Sequence, residues 1–278
     1  KKIGKVVAIF KTDIDAYKSI FSNKSKEIFY APYPIRRSVF LELESSEKVL
    51  PRLNNEIWIQ VGNNANSFNN HLDILSKLRK FSNEPIKIFI PMSYGNDWHN
   101  KIDNYVDIVR EKAIEWFGED KVYVLKNLMS IDEYSKFLEQ IDIMVIATNR
   151  QNALGNITKN LYAGGKVFLS EKNPLYDYFN NNHIKINRYE DIDDMSFSDF
   201  IKTEENIVLK EWLIENCYPE KNLFFWDNIF MKLSGMTDSV DKSSFARFTN
   251  EIISDMKNNA RKKIKSNYID ISDDEQGI

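Results

Sequence analysis

The stretch IDIMVIATNRQNALGNITKN, residues 141–160, runs from an apolar strand pattern through a polar loop into a helical pattern, and its reading decides the fold. Ile141–Thr148 has strand length and an apolar run from Ile143 to Ala147, as expected of a strand buried on both faces. Gly155 and Asn156 open the helical pattern GNITKNLYAGG, and KVFLS (166–170) follows as the next strand. Upstream, the same alternation runs through the strand EIWIQVGNN (56–64), a helix over 67–81, the strand IKIFIPM (86–92) and the helical NKIDNYVDIVREKAIEWFG, ending at Gly118. KVYVLKN (121–127) and the helical SIDEYSKFLEQ (130–140) complete it. Strands joined by helices require parallel crossovers, so 56–170 is predicted to form an α/β, Rossmann-like, doubly wound parallel sheet covered on both faces.

The composition narrows what such a sheet does. With 38 basic against 41 acidic residues and a net charge of -3 over 278 residues, no global field recruits nucleic acid. The single cysteine, Cys217, excludes an intramolecular disulfide framework, and His71, His99 and His183 are scattered without partners at metal-ligand spacing. A reducing cytoplasm, no metal and no cofactor are therefore expected. GxGxxG with a ribose-binding acid and GxxxxGK[ST] are both missing, so nicotinamide redox chemistry and P-loop hydrolysis lack their fingerprints. The sequence contains neither a membrane-spanning apolar run nor a secretory signal pattern.

Outside the alternating region the pattern weakens. Val6–Phe10 and Glu27–Tyr30 read as strands around a helical piece at Asp15–Phe21, and APYPIRR must be extended. Residues 1–52 are expected to end one domain, 53–235 to form the ligand-binding domain, and 236–278 to be a C-terminal helix and polar tail. Because the chain opens straight into an apolar strand, it is expected to be a piece of a longer one. From Pro174 to Gly235 further helices are expected, with HIKIN (183–187) as an edge strand and YEDIDDMSFSDF (189–200) as an acidic connector. In the tail, Phe245, Phe248, Ile252, Ile253 and Met256 recur at helical spacing ahead of KNNARKKIK. That stripe either packs on the fold or touches anionic lipid as a surface helix.

Open parallel sheets bind ligands beyond the carboxyl ends of their strands, where loops lead into helix N-termini. Four loops occupy that edge: Gly62–Phe68, Pro91–Trp98, Lys126–Ser130 and Asn149–Asn156. In the first, Gly62 allows close backbone approach, and Asn63 and Asn64 supply amide donors in a turn that is also common structurally. The second carries Ser93 and Tyr94, the latter able to stack on a base or sugar, as is Trp98; His99 is a lone histidine more often structural than catalytic. The third, beginning at Lys126, offers backbone groups to a nucleobase edge before a capping box formed by Ser130 and Glu133. The fourth offers Arg150, Asn152, Gly155 and Asn156, with Arg150 or Lys159 supporting a diphosphate at the helix N-terminus.

IWIQVGNNANSFNNH, IKIFIPMSYG, MSIDEY, RQNALGNI and LYAGGKVFLSEKNPLY, in this order and spacing, resemble the successive signatures of the bacterial dTDP-4-acetamido-4,6-dideoxygalactose (Fuc4NAc) transferases. The resemblance runs from Lys2 to Trp226. It implies the donor-binding half of a GT-B glycosyltransferase with a C-terminal helical tail, acting in surface-polysaccharide synthesis. Its partners would be a dTDP-sugar donor and a lipid-linked glycan acceptor, with peripheral contact at the cytoplasmic face of the inner membrane and no nucleic acid. The acceptor and catalytic base would belong to the N-terminal domain. Many retaining GT-B enzymes carry two glutamates at the spacing that separates Asn152 and Asn160 here; amides bond hydroxyls but cannot act as carboxylates. Direct displacement without a metal is therefore expected, with Asn160 as a further donor contact. A UDP-sugar transferase or epimerase, and a non-catalytic nucleotide-binding module, stay open beside this reading.

Overall fold

The computed structural model describes residues 5–21, 27–32, 55–95, 104–203, 208–209, 211–212 and 219–234. The chain divides into two compact units, Lys1–Pro34 with Leu213–Ile278, and Ile35–Trp212.

In the first unit, β1 (Lys5–Ala8) and β2 (Glu27–Tyr30) pair in parallel, joined by α1 (Lys11–Ile20). The helix begins four residues before the expected Asp15. Phe29 and Ala31 form a small core with Ile229 of the helix Pro219–Ser234. That helix belongs to this unit because Ile229, Phe225 and Trp226 pack on the β2 side chains.

The second unit holds a six-stranded, all-parallel sheet. Its strands are β3 (Ile57–Val61), β4 (Ile86–Pro91), β5 (Val122–Leu125), β6 (Ile143–Ile146), β7 (Lys166–Leu169) and β8 (Asn187–Arg188). They lie in the order β5-β4-β3-β6-β7-β8. Thus the chain starts at the centre, adds β4 and β5 to one side, and returns across β3 to add β6, β7 and β8. The inner strands β6 and β7 are buried at every residue, whereas edge strand β5 is only partly covered. The strand expected over 183–187 is confined to Asn187–Arg188, while Ile184 and Ile186 are buried ahead of it.

Helices α2 (His71–Leu78), α3 (Tyr105–Phe117), α4 (Ile131–Gln140), α5 (Leu154–Tyr162), α6 (Pro174–Asn181) and α7 (Phe197–Ile201) follow, with Pro219–Ser234 as α8. The helix expected over 67–81 is divided. A 3-10 turn at Ser67–Asn69 precedes Asn70, whose φ of 57° is left-handed, and only then does α2 begin. Asn70 is held in this conformation by its side chain, which donates to Ala147 O at 2.7 Å. The acidic connector 189–200 is structured as a 3-10 segment (Tyr189–Asp194) and α7. Tyr189, Ile192 and Phe200 are buried in the main core, so its apolar positions outweigh its acidic ones. The capping box is formed: Glu133 N–H donates to Ser130 Oγ at 3.2 Å and Ser130 N–H to Glu133 Oε2 at 2.8 Å. The Ser130 hydroxyl and, after it, the Ser130 N–H favour the ionised Glu133 carboxylate and lower its pKa.

Candidate functional site

The strand order places its topological switch point between β3 and β6. Gly62 N–H donates to Val145 O at 3.0 Å, so the loops leaving these strands start side by side. Gly62 has φ +65°, and a Cβ there would stand 2.5 Å from His71 Nε2. His71 is fully buried; burial pushes its imidazole down to about 3, against a smaller opposing hydrogen bond to the Asn64 backbone. Its Nδ1 lies 3.0 Å from the hydroxyl of Tyr105, whose phenol burial raises to about 12. Glycine at 62 thus lets the loop close over a neutral histidine, which supports the fold at this edge.

Beyond Gly62, the amides form a lattice. Asn63 and Asn152 bond reciprocally, Asn152 Nδ2 donating to Asn63 Oδ1 at 2.9 Å and Asn63 Nδ2 to Asn152 Oδ1 at 3.3 Å. Asn64 Oδ1 accepts from Asn66 N–H at 2.9 Å and from Asn69 Nδ2 at 2.8 Å. The second loop joins through Ala65 N–H to Tyr94 O at 2.7 Å; burial raises the Tyr94 phenol, and the nearby side chains of Asn64 and Asn63 partly offset it. Asn152 Oδ1 also accepts from Ala153 N–H at 2.9 Å, holding Ala153 at φ 63° as the residue before α5. Three loops separated in sequence are therefore fixed to one another at the switch point.

The N-terminus of α5 emerges from this lattice. Its first intrahelical donor is Ile157 N–H, to Ala153 O at 2.9 Å, so the N–H groups of Leu154, Gly155 and Asn156 precede the helical ladder. Gly155 is exposed, and a Cβ there would meet nothing within 4 Å. Arg150 is exposed and stacks over the Phe68 ring at 5.1 Å. Asn173, which the sequence reading missed, donates to Thr148 O at 3.0 Å and Arg150 O at 2.9 Å, and caps α6 by accepting from Leu175 N–H at 3.0 Å. Its signal was the Asn-Pro step at 173–174, which marks a capped helix start.

Beside the lattice a cavity of about 240 Å³ opens between the ends of β4 and β5. Ser93, Tyr94, Leu125, Met129, Ser130 and Tyr134 line it, and its walls are mostly apolar. Tyr134 is another residue the sequence reading missed, since it stood only within a capped helix. Burial, with Tyr94 beside it, pushes its phenol well above the ordinary value, against a hydrogen bond with Gln60.

Three expected contacts lie elsewhere. Asn160 is buried, its amide donating to Ile141 O at 2.6 Å and Leu138 O at 3.3 Å, so it braces the α4–β6 connection. Lys159 is buried against Glu139 at 2.6 Å and faces α4, not the helix N-terminus. Lys126 is exposed and pairs with Asp107 at 2.9 Å, outside the cavity lining. Trp98, His99 and the tail helix lie outside the described residues. Among the described residues, no group of three His, Cys, Asp or Glu converges to hold a metal ion, and no helix is long and apolar enough to cross a membrane.

A doubly wound parallel sheet with linked loops at its switch point defines a ligand-binding α/β domain of the Rossmann kind. Residues 1–209 match the family described as 4-alpha-L-fucosyltransferase glycosyl transferase group 56, and the chain belongs to that family. Its fold is similar to that of the Candida albicans trehalose-6-phosphate phosphatase N-terminal domain, at 12% identity and a TM-score of 0.61 over 82% of this chain and 58% of that one. An E. coli trehalose-6-phosphate structure bound with UDP-2-fluoro glucose is similar at 13% identity and 0.57, over 81% and 60%. WaaG, a glycosyltransferase involved in lipopolysaccharide biosynthesis, gives 11% and 0.50, over 68% and 52%. At these identities the likeness is one of fold, and the chain spans about three-fifths or less of each of these structures.

Proposed function

We propose that this chain is the donor-binding part of a GT-B glycosyltransferase that moves a deoxyamino sugar of the 4-acetamido-4,6-dideoxygalactose kind from a dTDP donor to a lipid-linked glycan. The observation that carries the reading is the adjacency of two features: a largely apolar cavity of about 240 Å³, and the N-terminus of α5, whose leading N–H groups stand ahead of the helical ladder. A base fills the cavity and a diphosphate lies against Leu154, Gly155 and Asn156, where the helix dipole favours negative charge. The open space above Gly155 admits such a group. As the glycosidic bond breaks, these N–H donors and Arg150 stabilise the charge that grows on the leaving diphosphate.

Ser93, Tyr94 and Tyr134 serve the base side, and Arg150, Gly155 and Asn156 the diphosphate side. Gly62, Asn63, Asn64 and Asn152 hold the loops in register. The acceptor and the catalytic base are contributed by the N-terminal domain, and the lipid-linked acceptor brings the enzyme to the cytoplasmic face of the inner membrane. Departure of the diphosphate needs no metal, so EDTA should leave transfer unaffected.

The decisive experiment is calorimetric titration of the chain with dTDP and, side by side, UDP. The reading expects dTDP to bind and to raise the melting temperature, as a ligand of the folded state alone does. Tighter UDP binding would move the donor assignment to a UDP-sugar. Binding of neither would overturn the nucleotide site.

A further inference from the structure

The two tyrosines in the cavity wall also reach the asparagines of the switch-point loops. Tyr94 has the side chains of Asn63 and Asn64 near its hydroxyl, as described above. Tyr134, on α4, accepts a hydrogen bond from Asn156 Nδ2 at 3.1 Å, and Asn156 is the third residue of α5. The Gln60 side chain lies near the same tyrosine and partly offsets the effect of burial on its phenol, and Gln60 Nε2 donates to Gly62 O at 2.9 Å. Gln60 Oε1 is buried without a hydrogen-bond partner among the described residues. Gln60, tied to Gly62, and Asn156, tied to the tyrosine hydroxyl, thus flank Tyr134 between the first switch-point loop and the start of α5. Half-buried Asn156 keeps its amide oxygen and its backbone N–H for other partners.

We propose that Tyr134 is a positioning residue that couples occupancy of the cavity by a planar ring to the seating of a diphosphate at the N-terminus of α5. Resting on the donor-site reading above, the coupling arises because one side chain does two tasks. Its ring forms cavity wall, and its hydroxyl fixes the Asn156 amide that borders the diphosphate seat. A ring packed against Tyr134 restricts the tyrosine and, through the hydroxyl, Asn156. The nucleoside part and the diphosphate part of one ligand then bind with mutual reinforcement.

The test uses the full chain and two probes, thymidine and dTDP, titrated calorimetrically into wild type, Tyr134→Phe, Asn156→Ala and the double variant, with circular dichroism and melting temperature as the check of folding. The Tyr134→Phe change keeps the ring and removes the hydroxyl. The expected result is that the dTDP-to-thymidine affinity ratio falls about fivefold, the size of one net hydrogen bond. Adding Tyr134→Phe to Asn156→Ala should cost nothing more, because both remove the same contact. Equal losses for thymidine and dTDP would reduce Tyr134 to cavity packing and overturn the inference, as would losses that simply add in the double variant. If wild type binds thymidine and dTDP but the ratio holds in Tyr134→Phe, the coupling fails and the donor site stands. If wild type binds neither probe, the donor-site reading fails and the coupling with it.

Discussion

Gly62 and Gly155 both border the candidate site, yet their surroundings assign them opposite tasks. At Gly62 a left-handed φ and the His71 ring 2.5 Å from any Cβ leave no room for a side chain. Gly62→Ala should therefore lower the unfolding free energy by about 2 kcal/mol, read from urea denaturation. Gly155 has open space and ordinary helical backbone. Gly155→Val should melt at or above the wild-type temperature, since valine favours helix over glycine, while weakening dTDP about tenfold or more by calorimetry. Retained dTDP affinity in that variant would remove Gly155 from the diphosphate seat. His71 adds a pH dependence. With an unfolded value near 6.5 and a folded one of about 3, the unfolded chain binds the extra proton, so stability is full above about 6.5 and falls as pH drops toward 3. The slope approaches about 1.4 kcal/mol per unit, and it should flatten in His71→Gln. Glycine positions and amide-rich turns were legible in the sequence because they signal backbone need. The burial of His71 was not, because its partner Tyr105 lies on a different helix.

Between elements, the α4–α5 interface carries three polar links: Tyr134–Asn156, Glu139–Lys159 and the Asn160 amide on the Leu138 and Ile141 carbonyls. Lys159 is nearly inaccessible, and its partner Glu139 is only slightly exposed. Removing one member of such a pair leaves the other charge buried. Lys159→Ala should thus cost about 3 kcal/mol in urea unfolding, whereas Lys159→Met with Glu139→Leu should return most of that loss. An additive double variant would show that packing, not charge, holds the helices. This interface also explains why the sequence reading placed Lys159 and Asn160 at the site. Both follow the glycine of a loop at the ligand edge, but one turn along α5 the side chains face α4. Spacing along a chain gives their distance from the loop, and only the packing gives the direction. The division of the expected 67–81 helix has the same origin, since Asn70 leaves the helical region to reach Ala147, just past the end of β6.

At the scale of the molecule, alternation of strands and helices made a parallel sheet legible, because apolar runs of strand length separated by helices permit little else. The order of the strands was not legible in the same way. Nothing in EIWIQV or IDIMVIA states that β3 and β6 are neighbours; that follows from their pairing of Ile59 with Ile143 and Val61 with Val145. Yet this order creates the site, since it brings the loops after β3 and β6 together and leaves the cavity at the ends of β4 and β5. A ligand that spans cavity and helix N-terminus must then protect segments far apart in sequence. Hydrogen exchange with and without dTDP should show added protection in 62–70, 125–134 and 149–157. Peptides over 185–203, which hold β8 and α7, should exchange as before. Protection confined to 125–134 would mean that only the ring is held. Protection over 185–203 alone would move the ligand away from the switch point and remove the structural basis for a donor site there.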